Sequence, residues 1–200
     1  EARLRAAGYG PDALVIRKMN YAGVLGLLGE AGGGFDCVLA DLGVSSMQLD
    51  NPARGFTYKA DGPLDLRLNP ERGAPAAEFL RTVTAEKLKC VLEENADEPH
   101  AALIAAAVKA APLPVKTTSG LAAAVRAALA GVSPKLKEEE VRKSLQRVFQ
   151  ALRVEVNGEF SALDRFLEAL PWAVKPGGRI AILTFHSGED RRVKKAFFKG

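Results

Sequence analysis

The sequence predicts an α/β fold built on a parallel sheet and interrupted by a helical insertion. Short apolar runs at 13–18 (ALVIRK), 35–42 (FDCVLADL) and 179–185 (RIAILTF), each bounded by Gly, Pro or Asp, read as strands. Their apolar character is nearly continuous instead of alternating, the pattern of strands covered by helices on both faces, which favours a parallel sheet. The stretch from about 70 to 135 turns Ala-rich, with helical spacings and no strand candidate.

Composition agrees and excludes other classes. Two hundred residues, 48% hydrophobic and 26% charged, describe a globular chain large enough for a real core, not a disordered or collagen-like one. The apolar stretch AALIAAAVKAA meets a lysine well before the roughly 18 residues of a membrane span, so no membrane partner is expected. The first residues are charged and lack a secretory signal core. Cys37 and Cys90 belong to no CxxC pair, which argues against zinc and against a disulfide framework and points to a reducing compartment. That compartment would be the cytoplasm or an organelle of bacterial origin. The net charge of +4 and pI of about 9.1 tilt the partners toward polyanions.

Taken in order, YAGVLGLLGEAGGG after the first strand reads as a short crossover helix stopped by glycines. PAAEFLRTVTAEKLKCVLEENA places Phe79, Leu80, Val83, Leu88, Val91 and Leu92 at helical spacings, and KTTSGLAAAVRAALAG opens on capping Thr and Ser and stops at Gly131. These delimit a helical insertion over 69–137, leaving 1–68 and 138–200 as the sheet-bearing domain. In EEEVRKSLQRVFQALRVEVNGEF, a turn of about 100° per residue gathers Val141, Leu145, Val148, Phe149, Leu152 and Val156 into a core stripe. Gln150, Arg153 and Asn157 share the adjacent face, either a solvated flank or a polar contact surface.

The stretch 41–68, DLGVSSMQLDNPARGFTYKADGPLDLRL, starts where a strand ends and shows neither helical nor strand periodicity. Long irregular segments inside compact domains tend to be functional, and Phe56, Tyr58, Leu64, Leu66 and Leu68 give this one apolar anchors. Asp41 falls at the carboxyl end of its strand, where α/β sheets bind ligands. Its carboxylate can accept from a ligand hydroxyl or amine, or else cap the turn with Ser45 and Ser46. Arg54, Phe56, Tyr58 and Arg67 interleave cations with rings, a combination that holds a phosphate and stacks an unpaired base. Alternatively, the rings fill a small core while the arginines pair with Asp61 and Asp65.

At the far end, His186 and Ser187 follow the last strand and stand at the same edge as Asp41 if the strands are parallel. Ser187 and Asp190 form an S-x-x-D helix start, and the helix carries Arg191, Arg192, Lys194, Lys195 and Lys199. No HExxH, GxSxG or GxxxxGK[ST] pattern occurs, so no metal site is expected.

Four ordered motifs, DLGVSSMQLD (41–50), RGFTYKADGPLDLRL (54–68), RVFQALRVEVNGEF (147–160) and GGRIAILTFHSGEDRRVKKAFF (177–198), together resemble the MraW/RsmH family of S-adenosylmethionine-dependent methyltransferases. That family modifies the N4 amine of a cytosine in small-subunit ribosomal RNA. The resemblance implies a class I (Rossmann-like) methyltransferase sheet with a helical domain inserted after its fourth strand. It implies S-adenosylmethionine as cofactor and the small ribosomal subunit or its RNA as partner. Asp41 and Gln48 become cofactor contacts, and Tyr21, where the family usually has Phe, would pack near the adenine. The motifs depart mildly from the family's pattern: Met47 stands for Pro, Thr57 and Tyr58 for Ser-Phe, and Gly188 for Leu. The family's glycine-rich cofactor loop and ribose-binding carboxylate would precede residue 1, so the sheet is expected to be incomplete at the N-terminus and the chain to be a fragment. His186 and Asp65 are the candidates to orient the amine or take its proton, with Arg54, Phe56, Tyr58, Arg67, Arg191 and Arg192 toward RNA. Alternatives are a non-catalytic RNA-binding or assembly module and a methyltransferase with another acceptor.

Overall fold

The structure, a computed structural model, describes residues 2–111, 113–132 and 134–199. The elements run α1 (Ala2–Ala6), a 3-10 helix (Tyr21–Leu27), β1 (Phe35–Asp41), α2 (Ser46–Leu49), a 3-10 turn (Pro52–Arg54), α3 (Ala76–Thr82), α4 (Ala85–Ala96), α5 (Ala101–Ala110), α6 (Thr118–Ala130), α7 (Glu138–Asn157), α8 (Glu159–Ala173), β2 (Val174–Leu183) and α9 (Ser187–Lys199). None of the described helices is long and apolar enough to cross a membrane.

β1 and β2 pair in parallel, with Asp41 opposite Leu183, so both strands deliver their carboxyl ends to one edge. Two strand expectations need correction. ALVIRK is irregular, with Val15 57% and Ile16 41% exposed. A strand needs a neighbouring backbone, whereas the Leu14 and Ile16 carbonyls accept from the Arg5 and Arg17 guanidinium groups. The sheet is also covered on one face, not both. Val38, Ala40, Ile180 and Ile182 pack toward α8 and α9, while on the opposite face Leu39 is 70% and Leu183 46% exposed.

The helices between the strands form where their spacings place them. Thr84 and Thr117 accept from the amides of Lys87 and Gly120 and so cap α4 and α6, satisfying helix-end donors that would otherwise be bare. The longer helical stretch at 76–96 breaks at Val83 because Thr84 takes the extended cap conformation. One buried apolar cluster joins α3 to α7 with Phe56, Leu64 and Leu66 of the long loop. A second joins the 3-10 helix and α8 with the sheet and α9. α7 belongs chiefly to the first and α8 to the second, and the chain turns between them at Gly158.

Candidate active site

The carboxyl edge of the two strands opens on two cavities. The larger, about 710 Å³, is walled by β1, the 3-10 helix and α8, and its polar lining includes Tyr21, Asp41, Gln48, Asn157 and Glu189. The smaller, about 230 Å³, is walled by Phe56, Tyr58, Phe149 and Phe185 with Gln146, Gln150, Arg153 and His186. Gly43 lines both. It holds φ +87°, a left-handed conformation costly for any residue with a Cβ, and the Phe185 ring lies 3.5 Å from where that Cβ would stand.

Tyr21, Asp41 and Gln48 therefore share one cavity although 27 residues separate the first from the last. The Asp41 side chain does not cap the following turn. Gln48 does so instead, its Oε1 accepting from the Ser45 amide at 2.9 Å, and the exposed Asp41 carboxylate has no hydrogen-bond partner among the described residues. Tyr21 packs edge-on against Phe166 at 5.1 Å. Burial, with Glu159, Glu189 and Asp164 nearby, pushes its phenol up to about 12, so it remains a proton donor at neutral pH. The apolar lining from Val24, Leu27, Leu163 and Phe166 suits a flat heterocycle, and the phenol, carboxylate and amide suit the hydroxyls and amines of a nucleoside. S-adenosylmethionine fits that donor set.

His186 stands at the wall of the smaller cavity, 11% exposed, with Nε2 at 3.3 Å from Oε1 of Glu189. Both of its ring nitrogens are shielded from solvent and make no aligned hydrogen bond among the described residues. Glu189 escaped the sequence reading. Burial pushes its carboxyl up, but His186, the Phe185 amide donating at 2.9 Å, and Arg153 together bring it below the ordinary glutamate value. The S-x-x-D pattern drew attention to Asp190, yet Glu189 is the acid turned inward. Ser187 donates not to its own helix but to Asp97 at 3.0 Å.

The loop is held by groups the sequence had offered to RNA. Arg67 grips Asp65 with two hydrogen bonds, at 2.6 and 2.9 Å, and reaches the Gly73 carbonyl. Asp65 is consequently held below the ordinary carboxylate range and lines neither cavity. Arg54 donates to the carbonyls of Arg67 and Leu68 at 2.7 and 3.0 Å. Asp61 pairs with no arginine among the described residues and accepts from the Ser119 amide instead. On α9, Arg191 is bidentate to Asp97, and Arg192 meets Asp164 and lies 3.6 Å from the Phe160 ring centre. The Lys199 side chain lies outside the described part. Phe56 and Tyr58 join the core cluster, as one of the two expectations had it, and they also line the smaller cavity.

Gln150, Arg153 and Asn157 form a contact surface, not a solvated flank. Gln150 donates to the Asn95 carbonyl, Arg153 pairs with Glu159 at 2.8 Å, and Asn157 bonds both Leu66 and Leu68. Leu66 is buried with φ +63°; its amide donates to the Arg54 backbone carbonyl at 3.1 Å and its own carbonyl accepts from Asn157.

A family model, that of the MraW methylase family, matches residues 2–200. The chain belongs to that family. It is 48% identical over 200 residues to a ribosomal RNA small subunit methyltransferase H 2 of Alkaliphilus metalliredigens, covering 98% of this chain and 57% of that protein. It is 49% identical over 198 residues to a ribosomal RNA small subunit methyltransferase H 1 of Lachnoclostridium phytofermentans, covering 98% and 54%. A third such protein, from Agathobacter rectalis, is 50% identical over 201 residues, covering 99% and 57%. The chain thus spans a little over half the length of these relatives.

Proposed function

We propose that this MraW-family chain supplies the larger part of the active site of an S-adenosylmethionine-dependent methyltransferase acting on the N4 amine of a cytosine in small-subunit ribosomal RNA, in a cytoplasmic setting. The observation that carries the proposal is the pair of cavities meeting at Gly43. One has the size and lining for a nucleoside cofactor, the other for a single base among aromatic rings. The relatives' names as ribosomal RNA small subunit methyltransferases support the same substrate.

When bound, S-adenosylmethionine supplies an electrophilic sulfonium methyl group. The chain's part is placement. An exocyclic amine conjugated with its ring is a weak nucleophile, so alignment and desolvation must lower the barrier. A base within a helix is unreachable, so it enters the smaller cavity unpaired, against Phe56, Tyr58 or Phe185. Of the two catalytic candidates, the placement favours His186 for orienting the amine or taking its proton. Asp65, tied to Arg67, serves to keep the loop shaped. The arginines proposed for RNA, Arg54, Arg67, Arg191 and Arg192, have guanidinium groups engaged within the chain and would meet phosphates only with their remaining N–H groups. The proposed division into 1–68 with 138–200 and an inserted 69–137 is supported by the run of four helices, α3 to α6. Their core is nevertheless shared with α7 and with Phe56, Leu64 and Leu66.

Equilibrium titration of the chain with S-adenosylmethionine tests the proposal, with Asp41→Ala as control. Micromolar binding lost in a folded Asp41→Ala variant is expected, followed by methyl transfer to unmodified small subunits in a full-length relative. Equal binding by both chains would sink the assignment of the larger cavity.

A further inference from the structure

We infer that Gln150 selects the acceptor base, its side-chain carbonyl receiving a hydrogen bond from an exocyclic amine in the smaller cavity. The inference rests on the methyltransferase reading and goes beyond it by naming the group that tells an amino-pyrimidine from a keto-pyrimidine. Gln150 lines the smaller cavity, and its Nε2 donates to the Asn95 backbone carbonyl at 3.1 Å. That bond fixes which end of the amide is which, because Nε2 can only donate and Oε1 can only accept. The anchor is itself rigid: the buried Asn95 side chain is tied across to the Ala151 carbonyl of α7 at 3.2 Å.

Among the described residues no donor meets Oε1 of Gln150, and that oxygen is not one of the buried atoms left without a partner. It is therefore an oriented acceptor open to a ligand. The remaining walls limit what the ligand is. Phe56, Tyr58 and Phe185 offer ring faces and edges to a planar heterocycle, and Phe185 is 68% exposed at the rim, where an entering base would meet it first. Gln146, one helical turn earlier on the same face, adds a second amide with no partner among the described residues. A base presenting an amine toward Gln150 satisfies Oε1, whereas one presenting a carbonyl sets two acceptors against each other. Cytosine is accordingly admitted over uracil.

The experiment titrates free cytidine and free uridine into the 200-residue chain and follows backbone amide resonances of α7 and residues 183–189. Cytidine should shift them with an affinity about tenfold above that of uridine, the discrimination of one directed hydrogen-bond contact. Gln150→Met, similar in shape but without an acceptor amide, should bind both nucleosides equally, and Phe185→Ala should weaken both alike. Equal affinities in the unaltered chain, an undiminished preference in Gln150→Met, or no shift at the cavity with either nucleoside would each overturn the inference. S-adenosylmethionine binding sensed at Tyr21 and Asp41 in the same samples separates the two readings. Cofactor binding without nucleoside preference removes the role of Gln150 alone. Nucleoside preference without cofactor binding upholds Gln150 and removes the assignment of the larger cavity.

Discussion

Asn157→Leu would replace the side chain that clamps the long loop by one of similar volume that can form none of its bonds. Oδ1 of Asn157 accepts from the Leu68 amide at 2.6 Å, and Nδ2 donates to the Leu66 carbonyl at 2.7 Å and to the Arg153 carbonyl at 2.8 Å. The Arg153 carbonyl lies in the last turn of α7, where water can replace the lost donor. The Leu66 and Leu68 groups lie against the buried cluster, and leaving a buried polar group unmet costs about 1–3 kcal/mol each. Leu gains a few tenths of a kcal/mol in helix propensity over Asn, which does not alter the sign. The positive φ of Leu66 also persists only while its surroundings impose it, so loss of the clamp releases the loop. The net expectation is a loss of about 3 kcal/mol, read as a lower urea midpoint at unchanged slope. The same loss is a fall in Tm of roughly 6–12 °C for a chain of this size. A loss below about 1 kcal/mol would show that other contacts hold the loop and that Asn157 is incidental.

Three other perturbations test the same structure. Gly188→Leu restores the residue usual in the resembling family, yet a Cβ there would lie 2.5 Å from the Phe160 ring. It should destabilise by about 1–3 kcal/mol through overpacking, with partial rescue by Phe160→Ala in a double-mutant cycle; additive losses would refute the clash. Asp65 is held below its ordinary value in the folded chain, so its contribution is present above the unfolded carboxylate pKa and lost as pH falls through the folded one. The stability gap between the unaltered chain and Asp65→Asn should accordingly be widest above about pH 5 and close below about pH 4, and a pH-independent gap would refute the pairing with Arg67. Asp41→Ala, at an exposed carboxylate with no partner among the described residues, should leave Tm within about 1 °C while abolishing cofactor binding, and a large fall in Tm would give Asp41 a structural role instead.

Short apolar runs bounded by Gly, Pro or Asp located β1 and β2, and helical spacing located the Ala-rich helices, because a helix must present its apolar side chains at its own repeat to bury them. The parallel sense of the strands was legible in their unbroken apolar runs, and with it the meeting of Asp41 and His186 at one edge. ALVIRK and the outer sheet face depart from what their apolar character predicts. An apolar run states what a segment would bury, but hydrogen bonding and cover depend on which neighbours stand beside it. Asp41 became a candidate from its place at a strand end, and Tyr21 and Gln48 only through what the family resemblance implies.

Tertiary structure alone decided how the polar groups are employed. A guanidinium in a sequence is a cation available to any anion, and only the folded chain shows Arg67 engaged with Asp65, Arg54 with two carbonyls and Arg191 with Asp97. The helical wheel put Gln150 and Asn157 on one polar face but could not name their partners, which lie up to 91 residues away in the case of Asn157 and Leu66, and nothing in the sequence told Glu189 from the other acid of its helix. Composition and the apolar patterns therefore determined the class of fold, the core and the edge to which both strands deliver their carboxyl ends. Which acids, amides and arginines face the cavities at that edge, and which hold the loop beside them, follows from hydrogen-bond geometry, a property of pairs that only the packing of distant segments creates.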